Sequence, residues 1–285
     1  DLFNIVSDYV YEIGLTPNRI DSASHFGCAR ELVAAIGSEK QASLKKPQAE
    51  LPAKSDSLDI SVEIANPEAC IRYSGISLTG ITIADSPQWL KNRLLSIGMK
   101  PINNVVDITN FVLHETGQPL HAFDADHITG NKVVVKTLPE GTPFVTLDEQ
   151  ERKLDSSDLM ICNDKEGMCL AGVFGGLHAG VSEKTTKIFL ESACFNPVWV
   201  RKTSKRHSIF TDSSFRFERG TDPNGTIDAL KRAAALICEI AGGKVASEII
   251  DVYPDVVEPY PVELYWAHLD RLIGIQIDHE VVKRI

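Results

Sequence analysis

Long apolar runs are missing from this chain of 285 residues, which nowhere approaches the ~20 consecutive apolar positions of a membrane-spanning helix. Its N-terminus lacks the basic-then-apolar pattern of an export signal, an absence to which a start at Asp1 rather than methionine gives little weight. Cysteine is sparse and scattered. The thiols Cys28, Cys70, Cys162, Cys169, Cys194 and Cys238 contain no C-x-x-C and no paired Cys/His spacing, which argues against a disulfide framework or zinc site. Free, mostly buried thiols in a reducing compartment are the reading that remains. Positive charge is in deficit: the formal net charge of −10 excludes a broad grip on nucleic acid, so any such contact must be local. The glycine fingerprints of dinucleotide and nucleoside triphosphate loops are absent too.

What is there is ordinary for a globular protein, with 43% hydrophobic and 24% charged residues and length for about two domains. A strand-like run, a turn at residues 15–19 and a helix from Ser24 to Ile36 closed by Gly37 come first. Residues 39–58, rich in Lys, Ser, Pro, Gln and Ala, read as a linker, with a boundary near residue 55. Alternation at Ile60, Val62 and Ile64, then over residues 71–83, predicts strands, and Ser86-Pro87 caps a helix with Leu90, Leu94 and Leu95 on its apolar side. Short strands follow at residues 132–138, 144–147, 152–154, 159–162 and 168–170. Asn196-Pro197 and Asp222-Pro223 each open a helix, residues 251–261 form a proline-punctuated linker, and two short helices surround Gly274. The expected organisation is residues 1–54, 55–255 and 256–285 as successive units, in an α+β fold of mixed and antiparallel sheets flanked by helices.

The centre of interest is residues 101–124, PINNVVDITNFVLHETGQPLHAFD. Val105, Ile108 and Val112 fall at helical spacing, Asn104 is placed to cap the start and Gly117 to stop the helix. Asp107, Thr109 and Asn110 then form a polar ledge, and the turn at Gln118-Pro119 delivers His121 in an extended segment that can point back at it. That is a plausible arrangement for acid-base or positioning chemistry. On spacing alone, a half-buried corner in which His121 and Asn110 satisfy each other is the commoner outcome.

Four other features stand out. The run AGVFGG, residues 171–176, either exposes backbone N–H groups to a substrate or makes a turn needing positive φ. Glu191 lies in an apolar strand with Phe189 and Ala193 on its face, so it needs a partner, whether an arginine or a ligand. Arg201, Lys202, Lys205, Arg206 and His207 form the one basic cluster, either a solvated helix face or a contact for RNA phosphates. TDSSFRFERG, residues 211–220, reads as too irregular for a helix.

These strings, with FLESACF at residues 189–195 and TDSSFRFERGTDP at 211–223, occur in an order that resembles the editing module, the third and fourth modules, of the beta subunit of bacterial phenylalanyl-tRNA synthetase. LTPNRID with HFGCARELVAAIG resembles the end of the first module of that subunit. The resemblance implies a module that hydrolyses tyrosine wrongly attached to tRNA(Phe), because a pocket shaped for phenylalanine rejects an added hydroxyl only weakly. By motif position it places Asn110 and His121 near the scissile ester and Glu191 on the tyrosine phenol, with Gly172 and Gly175 beside it. Thr211 and Ser213 line the pocket, and the family's frequent alanine at the latter position makes Ser213 a departure that bears on its shape. Asn104 and Thr109 are weaker candidates. Hydrolysis by a positioned water is implied, with no cofactor for this chain; ATP and Mg2+ serve the intact cytoplasmic synthetase, a heterotetramer with an alpha subunit. A docking module for an RNA end or another subunit, and a metal-dependent hydrolase, are the competing classes.

Overall fold

The computed structural model describes residues 8–40 and 42–285, so parts of the N-terminal run and of the linker lie outside it. Regular structure begins after a turn in which the Arg19 amide donates to the Thr16 carbonyl, with α1 (His25–Lys40), which runs through Gly37 rather than stopping there. Next come β1 (Ser61–Ile64), β2 (Cys70–Thr79), α2 (Gln88–Ser96), α3 (Asn104–Thr116) and β3 (Leu120–Asp124). The middle of the chain supplies β4 (Lys132–Thr137), β5 (Pro143–Val145), β6 (Glu151–Lys153), β7 (Leu159–Cys162), β8 (Gly167–Leu170), β9 (Phe174–Gly175) and β10 (Lys187–Phe195). Last are α4 (Pro197–His207), α5 (Asp212–Phe217), α6 (Thr226–Ala241), β11 (Lys244–Val245), β12 (Ile250–Val252), α7 (Trp266–Ile273) and α8 (His279–Arg284).

The fold is α+β, and alternation in its longest strands sorts the core into two parts. One sheet runs β11-β2-β10-β3, entirely antiparallel, with β12 also paired to β2. On one face of it Ile76, Leu78, Ile188, Leu190, Leu120 and Ala122 pack with the apolar sides of α2, α3 and α6. On the other face Tyr73, Phe123, Phe189, Ala193 and Phe195 meet a second sheet, β1-β4-β7-β8-β9, in which only β1 and β4 are parallel. The result is a helix layer, a central sheet and an outer sheet, each apolar face covered by the next layer.

α3 forms where its spacing predicts, but the cap is one residue earlier. Asn103 accepts from the amides of Val105 and Val106, and Gly117 ends the helix at φ 86°. Asn104 is buried instead and bonds the backbone of Thr82 and Ala84. Asn103→Ala is therefore expected to lower stability by about 1 kcal/mol in urea unfolding, the usual worth of an N-cap. An unchanged midpoint would deny Asn103 that role.

The polar ledge is also corrected. Asp107 is fully buried, accepting from the Ser86 hydroxyl at 2.5 Å and the Ile102 amide at 2.8 Å, so Ser86 serves α3 and leaves α2 capped by Pro87 without a side-chain bond. Thr109, 7% exposed, donates back to the Val106 carbonyl. Residues 211–220 do contain a helix, α5, because Thr211 and Ser214 form a reciprocal capping box. The C-terminal linker begins later than read: Asp251 belongs to β12 and binds Arg72 through both carboxylate oxygens at 2.8 Å. The segment before β1 has no regular structure, yet its Ser55 and Asp56 amides donate to the Val245 carbonyl and its Leu58 amide to Ala246. All six cysteines are free, four of them buried.

Candidate functional site

β10 is flanked on both sides, and its register decides what surrounds Glu191. That residue lies opposite Gly75 of β2 and opposite His121 of β3. Cross-strand neighbours share a face, so the Glu191 and His121 side chains stand side by side over the outer sheet. The same parity corrects the expectation that His121 points back at α3. Leu120 and Ala122 face α3, while His121 shares its face with Phe123, whose ring it meets edge-on at 4.5 Å between centroids.

Glu191 is 5% exposed, and its partner is a phenol rather than an arginine: the buried Tyr73 hydroxyl donates to Oε2 at 2.8 Å. Oε1 has no hydrogen-bond partner among the described residues and is not sealed from solvent. Burial raises the Glu191 pKa to about 8 against the opposing effect of the Tyr73 hydrogen bond. The Tyr73 phenol is pushed well above its ordinary range, first by burial and then by Glu191, so it keeps its proton. Burial lowers His121 to about 4, which leaves the imidazole neutral at pH 7. The two groups therefore meet near neutrality as an uncharged acceptor and a largely protonated carboxyl.

Of the glycines in the 171–176 run, Gly175 comes to this pair from the outer sheet, whereas Gly172 packs against Phe217, Phe195 and Val200. Gly172 turns the chain between β8 and β9 at φ 70°, with a Cβ there falling 2.9 Å from Phe217 and 3.0 Å from Phe195. Gly175 has ordinary backbone angles but lies against the pair, its would-be Cβ 3.3 Å from Cε1 of His121 and 2.9 Å from Leu147. Leu147, 45% exposed, bonds Gly175 through its amide and stands at the mouth. Thr211 joins the same turn, its hydroxyl donating to the Val173 carbonyl at 3.0 Å. Ser213 follows on α5, half-buried and without a hydrogen bond among the described residues.

Other predicted residues lie elsewhere. Thr109 and Asn110 are on α3, which packs against the opposite face of the central sheet; Asn110 is half-buried, and its side chain bonds neither His121 nor any other described residue. The basic cluster divides. Arg206 binds Asp158, Asp155 and Ser157, and His207 binds Asp158, whereas Arg201, Lys202 and Lys205 are exposed without an ion pair among the described residues. Tyr73 and Leu147 were missed: neither stands near the motifs in sequence, and only register brings them in. Two recesses of about 480 and 600 Å³ are lined by neither member of the pair, the first by Phe144, Gly176 and His178 among others, the second by residues between α1 and α6. Among the described residues no His, Cys, Asp and Glu cluster is fit to hold a metal ion, and no helix is long and apolar enough to cross a membrane.

Residues 69–242 match the B3/4 domain family. The whole chain is 55% identical to part of the phenylalanine-tRNA ligase beta subunit of Bacteroides thetaiotaomicron, covering 35% of that protein. It is 52% identical to the same subunit of Porphyromonas gingivalis, again over 100% of this chain and 35% of the relative. For Bdellovibrio bacteriovorus the identity is 48% over 95% of this chain and 33% of the relative. The chain thus spans about a third of the length of the curated relatives it matches. Among solved structures, an N-terminal fragment of the phenylalanyl-tRNA synthetase beta subunit from Pyrococcus horikoshii aligns with 94% of this chain and 72% of that one, at TM-score 0.46 and 15% identity.

Proposed function

Because this chain belongs to the B3/4 domain family, as found in phenylalanine-tRNA ligase beta subunits, we propose that it edits tRNA(Phe), hydrolysing the ester of a wrongly attached tyrosine. The observation that carries this reading is Glu191, a buried carboxyl with one oxygen held by a phenol and the other open. The bond to Tyr73 is itself a pattern for how a second phenol would be read. Phenylalanine would enter the same place with nothing to offer Oε1, leaving a desolvated polar atom unpaired, and sites of this kind discriminate strongly.

In this reading residues 55–255 form the editing unit, and the partners are the 3′ end of tRNA(Phe) and the alpha subunit of the ligase. Water attacks the ester carbonyl, the carbonyl–oxygen bond to the ribose breaks, and tyrosine and a free 3′-terminal hydroxyl are released. With a pKa near 4, His121 is a poor store for a proton at pH 7 and serves as a neutral acceptor that orients the water or the ester. Gly175, having no side chain, lets His121 and Leu147 close against its backbone. Arg201, Lys202 and Lys205 are the available cations for phosphates of the RNA end.

The test is release of tyrosine from Tyr-tRNA(Phe) by the full-length protein carrying this chain, with Phe-tRNA(Phe) as control. Glu191→Ala is expected to slow tyrosine release about 10-fold, the upper worth of a hydrogen bond between uncharged groups, with the control unchanged. Protection of the ester, or release of neither amino acid, would replace this reading with the docking one, and equal release of both would overturn the role given to Glu191.

A further inference from the structure

We propose that Tyr73 is a specificity-determining positioning residue, whose hydroxyl fixes one carboxyl oxygen of Glu191 so that the other faces an incoming phenol. This rests on the editing reading above and addresses what aims the carboxyl.

A glutamate side chain is long and gives up rotamer freedom only to a fixed partner. Tyr73 is such a partner. It is 0% exposed, stands on β2 two positions from the residue opposite Glu191, and has its ring among Phe123, Phe189 and Ala193 in the core between the sheets. Its hydroxyl lies 2.8 Å from Oε2. It is too deeply packed to leave, so it cannot itself be the group that Glu191 reads.

No other neighbour does this work. His121 stands opposite on β3, and the thiols of Cys70 on β2 and Cys169 on β8 are close enough to feel the Glu191 charge. Yet Cys70 donates to the Arg72 carbonyl, Cys169 to the Leu170 and Phe174 carbonyls, and His121 makes no hydrogen bond to the carboxyl. Among the described residues Tyr73 alone holds Glu191. With that hydroxyl gone, neither oxygen is anchored, and a desolvated carboxyl turns toward whatever polar atom or water it can reach.

The experiment uses non-hydrolysable 3′-amide analogues of tyrosyl-adenosine and phenylalanyl-adenosine, titrated into the full-length protein that carries this chain. The unmodified protein is expected to prefer the tyrosyl analogue. Tyr73→Phe should reduce that preference about ten-fold, one hydrogen bond's worth of orientation, while affinity for the phenylalanyl analogue stays where it was. A purely structural role would weaken both analogues together, and an unchanged preference would also overturn the proposal. If the unmodified protein has no preference, the reading of Glu191 falls and this inference with it; a preference that survives Tyr73→Phe sinks only the latter. Should Tyr73→Phe fail to fold because it strands a buried carboxyl, the comparison moves to Glu191→Gln with and without Tyr73→Phe. There the amide replaces the titrating carboxyl by a neutral group of the same shape, and the same loss of preference on removing the hydroxyl is required.

Discussion

Gly172→Ala is expected to destabilise the fold by about 4 kcal/mol, since a strained left-handed backbone and an overpacked core each cost roughly 1–3 kcal/mol. The backbone at Gly172 has φ 70°, which disfavours any side chain, and the space is already taken. The new methyl would fall 2.9 Å from Phe217, 3.0 Å from Phe195 and 3.2 Å from Val200. All three are buried, and the two rings pack edge-on at 5.0 Å, so no exposed side chain is there to swing aside. The turn between β8 and β9 also carries Val173, to which Thr211 is bonded, so relief by backbone movement would pull on the N-terminus of α5. Urea or thermal unfolding measures this directly. A loss below about 1 kcal/mol, the size of an ordinary surface effect, would mean that the turn tolerates a side chain.

Glu191→Gln is expected to act in the other direction, and increasingly so as pH rises above about 4.5. The folded pKa of Glu191 is about 8 against an unfolded value near 4.5, so between those values the folded chain binds the proton and the unfolded chain does not. Stability from this group is whole below pH 4.5 and falls as pH rises, with the loss complete above about pH 8. A full shift of this size is worth roughly 5 kcal/mol at most, at 1.36 kcal/mol per pKa unit. His121 and His114, both held near pKa 4 chiefly by burial, tilt stability the opposite way, but only below their ordinary value of 6.5. The clean window is therefore pH 6.5 to 8, where the unmodified protein should lose about 2 kcal/mol through Glu191 alone and Glu191→Gln should remove that slope. Parallel curves for the two proteins across this window would show that Glu191 ionises without penalty.

Much of the architecture was legible because burial leaves a period behind. Val105, Ile108 and Val112 mark α3, and the alternation of Phe189, Glu191 and Ala193 marks the inward face of β10. What failed did so where one residue decides. Asn103 and Asn104 are chemically identical cap candidates, and only the fold shows which has its carbonyl oxygen on the first turn and which is buried beneath it. His121 was given the wrong side because a turn before a strand sets the parity of everything after it. β12 was hidden by its brevity, and α5 by a capping box that uses serine at the position where Glu or Gln is the usual signal. The candidate site was half visible. Glu191 declared itself as a carboxyl in an apolar strand, but its partner Tyr73 lies 118 residues away, and no local pattern joins them.

That separation bears on when, during synthesis, the site can exist at all. β2 leaves the ribosome long before β10, and at about 5–20 residues per second the 118 positions between Tyr73 and Glu191 take roughly 6–24 s to appear. β3 waits for the same strand, and Asp251, which clamps Arg72 and Ser74, comes 177 residues after Ser74. Nascent chains shorter than this carry an unpaired β2 edge, a site for wrong pairing or for a chaperone. The central sheet closes late and as a unit, so an unfinished chain holds the residues of the site without yet having the site.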